Sequence, residues 1–217
     1  MPRATTLLPL LWVLLTLPAS AGPLPLTVDG ARSSVVAIAE VAGVLGFLGH
    51  PHAILATEVS VELVYDEETP SRSRVEVRVP TRALRIDSRE AIAAGRLRSR
   101  PDPETVEKLQ TKMLSPRMLD AERHPTIEFT STGVEQGDGR VRIRGVFRMH
   151  GRAREIEIPV RVARLPSSVF RFSGEFDVRQ TDFGIQPESI AGVVKVADPV
   201  TIQFDVIARA PDAHGAR

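Results

Sequence analysis

The side chains best suited to chemistry in this 217-residue chain are its histidines, and His50-Pro51-His52 is their tightest grouping. On a strand, positions i and i+2 point to one side, so these two imidazoles could share a metal ion. His124 or His150 would then supply a third ligand. The plainer reading is a polar turn, where the rings bond backbone or the polar end of a ligand. A two-ligand motif is weak on its own, so no metal is assigned; His50 and His52 remain weak candidates. His124 precedes Pro125, which favours extended backbone and suits entry into a strand. His150-Gly151 suits a tight turn. His214 falls in a Pro/Gly/Ala-rich tail, residues 211–217, expected to be disordered.

Other catalytic constellations are missing. There is no Gly-x-Ser-x-Gly, phosphate loop, His-Glu-x-x-His or cysteine. Asp182 and Glu188 are acids near a Phe183-Gly184 turn, but a carboxylate pair needs a defined separation to act as acid and base. Arg85, Arg89, Arg96, Arg98 and Arg100 cluster in one stretch. A solvated face explains them; guanidinium forks matched to an anionic head group are the functional alternative. The expectation is a non-enzymatic protein without a cofactor.

The first 21 residues have the form of a cleavable secretory signal. Arg3 and the amino terminus give a positive start, residues 7–17 are an apolar run, and Ala19-Ser20-Ala21 supplies small residues before a cut at Gly22. The run is too short to span about 30 Å of hydrocarbon, and Pro9 and Pro18 interrupt it. Without cysteine, neither a lipid-modified cysteine anchor nor a disulfide is available. Beyond the signal, basic and acidic side chains balance, which argues against electrostatic binding of nucleic acid or anionic membrane. The expected location is exported: periplasmic in a Gram-negative cell, otherwise secreted.

From residue 33 onward, alternation with period two dominates, the mark of strands with one buried face. Val59, Val61, Leu63 and Tyr65 form one series, and Val75, Val77 and Val79 the next. Further series run through Ile127 and Phe129, then Val141 to Met149, then Ile156 to Val162. Phe170 to Val178 and Val200 to Ala208 follow. With a vaguer strand at 33–41, the count is eight, joined by short turns and therefore antiparallel. Residues 87–123 break the pattern. Asp102-Pro103-Glu104 opens an amphipathic helix carrying Val106, Leu109, Met113 and Leu114, and Ser115-Pro116 ends it. One helix cannot cover an eight-stranded sheet, so the sheet must close on itself as a barrel or sandwich. Small inward residues such as Ala37, Ala39, Gly145, Gly174 and Ala208 leave room that larger neighbours either fill or leave as a cavity.

Three segments carry a joint pattern in their order and spacing. The first is residues 119–132, where Asp120 to His124 precede Pro125 and an alternating strand ends in Ser131-Thr132. The second is Phe147-Arg148-Met149-His150-Gly151, returning through Ile156-Glu157-Ile158-Pro159-Val160. The third is Thr181-Asp182-Phe183-Gly184-Ile185, followed by residues 193–206. Together these segments resemble the YceI family of exported lipid-binding proteins. The resemblance implies an all-β fold, an eight-stranded antiparallel lipocalin-like barrel with one amphipathic helix in a long insertion, over residues 22–210. It also implies an apolar tunnel holding a polyisoprenoid or similar long-chain amphiphile. Expected tunnel residues are Val61, Leu63, Val77, Phe129, Phe147, Ile158, Phe172, Phe176, Phe183 and Phe204. His50, His52, Arg85 and Arg89 are candidates for the mouth or head group. The expected partner is thus a lipid or isoprenoid, with no nucleic acid and no membrane span; a homodimer stays open. The alternatives are a metal-binding protein or metal-dependent enzyme using His50 and His52, or an envelope or stress interaction protein without a small ligand.

Overall fold

The computed structural model describes residues 22–42, 50–137, 139–187, 189–190 and 194–211. The expected signal and most of the expected tail lie outside the described residues. Among the described residues, twelve strands form one continuous antiparallel sheet. In chain order they are β1 (Leu24–Val28), β2 (Ser34–Ala42), β3 (His52–Ala56), β4 (Ser60–Tyr65), β5 (Arg74–Pro80) and β6 (Leu84–Ile86). After the helical insertion come β7 (Thr126–Gln136), β8 (Val141–Met149), β9 (Arg152–Leu165), β10 (Val169–Arg179), β11 (Ser189–Ile190) and β12 (Val194–Arg209).

Eight of these strands close a barrel in the order β1-β4-β5-β7-β8-β9-β10-β12, and β12 returns to β1 through Thr27↔Arg209 and Val28↔Ala208. The expected fold class is what forms. The membership differs by one strand, because β1 and not β2 completes the ring. β1 is too short to seal more than one end. β2 pairs with the rest of β12, and β3 and β6 continue from it. Val35, Ala37 and Ala39 of β2 and Ile54 of β3 line the same interior as the ring. These extra strands therefore carry the wall where β1 stops.

Turn chemistry fixes the register. Between β8 and β9, His150 (φ 52°) and Gly151 (φ 71°) make a two-residue loop with both φ positive, which matches the twist of the flanking strands. Between β4 and β5, the buried Asp66 carboxylate accepts the Glu68 and Thr69 amides and the Arg72 guanidinium, at 2.7–3.1 Å. Outward faces carry paired charges across strands, such as Arg171 with Asp205 at 2.5 Å.

The insertion holds two helices. α2 (Pro103–Leu114) is the expected one: the Asp102 side chain accepts the Thr105 amide, and the chain leaves the helix at Ser115. Hydrogen bonds from the Thr105 hydroxyl and amide hold the Asp102 carboxyl below the usual carboxylate range. Gln110 seats this helix on β6. Its amide oxygen accepts the Ile86 N–H at 3.0 Å, and its NH2 donates to the Leu84 carbonyl at 2.9 Å. That satisfies part of an otherwise open strand edge. α1 (Arg89–Ala94) was not expected. Capped by Ser88, it covers Val36 and Ile38 of β2 and Ala53 of β3, and together they form a second small core.

The inward glycines do not create the interior space. A Cβ at Gly145 would lie 2.5 Å from the Phe129 ring, and one at Gly174 would lie 2.8 Å from the Phe204 ring. Each glycine admits an aromatic ring that already occupies the room above it.

Candidate functional site

The ring strands and β2–β3 enclose a cavity of about 670 Å³, within the range of about 300–1,000 Å³ typical of small-molecule sites. Its middle wall is built by register. Val61 pairs with Val77, Val77 with Phe129, and Phe129 with Phe147, so four strands in a row present an apolar side chain at one level. Period-two alternation turns each of them inward and leaves the intervening charges outside. Nine of the ten residues expected to line a tunnel do line this cavity: Val61, Leu63, Val77, Phe129, Phe147, Ile158, Phe172, Phe176 and Phe204.

Phe183 does not, which corrects the expectation. It ends the 3-10 turn Gln180–Phe183 and is 1% exposed. Its ring meets Phe147 edge-on at 5.5 Å, and the Arg154 guanidinium lies 6.0 Å over its face. Its carbonyl accepts the His150 Nδ1–H at 2.9 Å. The helical turn interrupts the alternation that positions β10, so Phe183 buttresses the lining from behind. Arg85 and Arg89 are also off the cavity. Arg85 is exposed and donates to the Arg82 and Leu84 carbonyls, while Arg89 opens α1 toward solvent.

Among the described residues, most polar lining gathers toward the ends; Glu128, beside Phe129, also borders the cavity and pairs with Arg78. At one end, Tyr65 stacks edge-on against Phe170 and Phe172, each at 5.3 Å. Burial, and then the nearby Glu67 and Asp66 charges, push its phenol pKa up, so it stays neutral. Ser73 and Arg74 line the cavity beside it. The opposite end carries Glu40, His50, His52, Lys112 and Gln180. Leu109 and Met113 of α2, with Met118 and Leu119, also line the cavity, so the insertion helix forms part of its wall. The sequence showed that apolar helix face but not what it would cover.

His52 Nδ1 donates to Asp87 Oδ2 at 2.6 Å, and Asp87 Oδ1 accepts the Ala53 amide at 2.9 Å. Asp87 is fully buried. The His50 ring sits 4.9 Å from His52, and its buried Nε2 has no hydrogen-bond partner. Asp87 was missed at the sequence level because nothing near it in the chain marks a lone acid as a partner for a histidine 35 residues away. His124 and His150, considered above as third ligands, instead gather around Asp120. There Arg123 holds the Asp120 carboxylate at 2.6 Å, and His150 Nδ1 is committed to the Phe183 carbonyl. That second group is accounted for by the turns it braces.

A family model described as a YceI-like domain matches residues 26–208. The chain belongs to the YceI-like family. Solved structures agree in fold. Burkholderia cenocepacia BcnA gives a TM-score of 0.64 at 17% identity, covering 83% of this chain and 99% of that one. A Campylobacter jejuni YceI protein gives 0.55 at 13% identity, covering 73% and 85%. A polyisoprenoid binding domain from Saccharophagus degradans, implicated in plant cell wall breakdown, gives 0.56 at 10% identity, covering 87% and 99%. A search of the curated proteins returns no match. Among the described residues, no helix of this YceI-like chain is long and apolar enough to cross a membrane.

Proposed function

We propose that this YceI-like chain is a non-enzymatic carrier that holds one long-chain amphiphile, of the polyisoprenoid class, inside its barrel. The observation that carries the reading is a cavity of about 670 Å³ with a mostly apolar lining and most of its polar groups toward the ends. An apolar lumen gives water few partners, so an alkyl chain displaces it readily. Each buried methylene then contributes about 0.8 kcal/mol. The Saccharophagus degradans domain, named for polyisoprenoid binding, has the same fold and supports the choice of ligand class.

A non-enzymatic role fits how the buried acids are used. Asp66 and Asp120 organise turns and hold arginines, and Asp87 orients a histidine. Export, to the periplasm or beyond the cell, fits a carrier that shields an apolar chain in an aqueous compartment.

Titration of the delipidated chain with prenyl alcohols of increasing length tests this. The expected result is one ligand per chain, with affinity rising per isoprene unit until the lumen is full. Affinity independent of chain length, or no saturable binding, contradicts it.

A further inference from the structure

We propose that His50 and His52 bind a divalent transition-metal ion at the end of the lumen, with Asp87 as the buried carboxylate that orients His52 and balances the ion's charge. The proposal does not depend on what fills the lumen.

The local chain is stiff. Pro51 fixes its own φ between the two histidines, and His52 opens β3 in register with Ala39 of β2. Asp87 is fully buried, and its two oxygens are taken by the Ala53 amide and His52 Nδ1. This Asp–His pairing leaves His52 Nε2 as the atom free to coordinate, the arrangement that commonly backs a metal-bound imidazole. Among the described residues, no arginine or lysine side chain pairs with the Asp87 carboxylate. Arg100 is nearby, but its Nε donates to the Asp87 backbone carbonyl at 2.7 Å. A buried carboxylate beside two imidazoles favours a cation.

His50 supplies the second observation. Its Nε2 is the one buried side-chain nitrogen or oxygen among the described residues without a hydrogen-bond partner. Buried polar atoms are seldom left so, and an unsatisfied imidazole nitrogen is what an unloaded metal ligand presents. One ligand atom each from His50, His52 and Asp87 lie within 4.8 Å of one another. The two imidazole centroids are 4.9 Å apart, so one ion fits between the rings with Asp87 behind His52. Imidazole with carboxylate and no thiolate suits zinc, nickel or copper(II). Two protein ligands leave positions open for water or for the polar end of a molecule in the lumen.

The test uses the full chain without a histidine tag, treated with chelator and titrated calorimetrically with Zn²⁺. Co²⁺ absorption gives a second readout. The expected result is one saturable Zn²⁺ per chain. His50→Ala and His52→Ala should each weaken it at least tenfold, and Asp87→Asn about 10–100-fold. His124→Ala should leave it unchanged. His50→Ala removes no backbone hydrogen bond, so it should fold, which circular dichroism checks. If Asp87→Asn does not fold, His50→Ala and His50→Gln decide the matter. Absence of saturable Zn²⁺ and Co²⁺ binding in the wild type overturns the proposal. So does unchanged affinity in folded His50→Ala, or loss of binding in His124→Ala.

Discussion

Val77→Trp should leave the barrel folded and weaken binding of a long-chain prenol about a hundredfold. Val77 sits mid-barrel between Val61 and Phe129, and all three face the lumen. The indole is directed into open space rather than into a packed core, so the usual overpacking cost of about 1–3 kcal/mol should largely be avoided. What the ring takes is room. Displacing several chain carbons at about 0.8 kcal/mol each removes roughly 3 kcal/mol of binding, about a hundredfold. Glu62→Trp on the outer face of neighbouring β4 is the control, because its side chain is 72% exposed. It should bind as the wild type does. Calorimetric titration of both variants reads the difference, and wild-type affinity in folded Val77→Trp would remove the lumen from the account.

Phe183→Ala should produce the largest loss of stability. The ring is fully buried, packs edge-on against Phe147 and lies under the Arg154 guanidinium. Emptying such a site costs about 3–5 kcal/mol. For a domain of this size that lowers Tm by about 6–20 °C. Phe147 is a lining residue, so losing its support should also loosen the end of the lumen near His150. A thermal melt measures the first effect. A melt within 2 °C of wild type would show that Phe183 does not brace the barrel.

The legible parts of this fold were the strands with one wet face. β4, β5, β7, β8, β9, β10 and β12 alternate cleanly because solvent lies outside and the lumen inside. β2 alternates poorly for a physical reason. Its inward residues line the lumen, while Val36 and Ile38 on the opposite face are covered by α1. Both faces are apolar, so period two fades. β3 and β6 have five and three residues, too few to display a pattern. The count of eight was correct for the ring, yet β2 was counted where β1 belongs.

The lining residues were readable because alternation in a closed barrel assigns each one a side. Phe183 broke that rule because it follows the end of β10 in a 3-10 turn. Arg85 and Arg89 were grouped by charge, and charge does not specify direction. The pairing of His52 with Asp87 joins β3 to the start of the insertion, a tertiary contact that no local spacing encodes.

The most direct measurement of the central claim is mass spectrometry of an organic extract from the purified, never-delipidated chain. The expected extract holds a long-chain isoprenoid-like amphiphile at near one per chain, strongly reduced in Val77→Trp. An extract without any long-chain amphiphile, or one equally loaded in that variant, would contradict it.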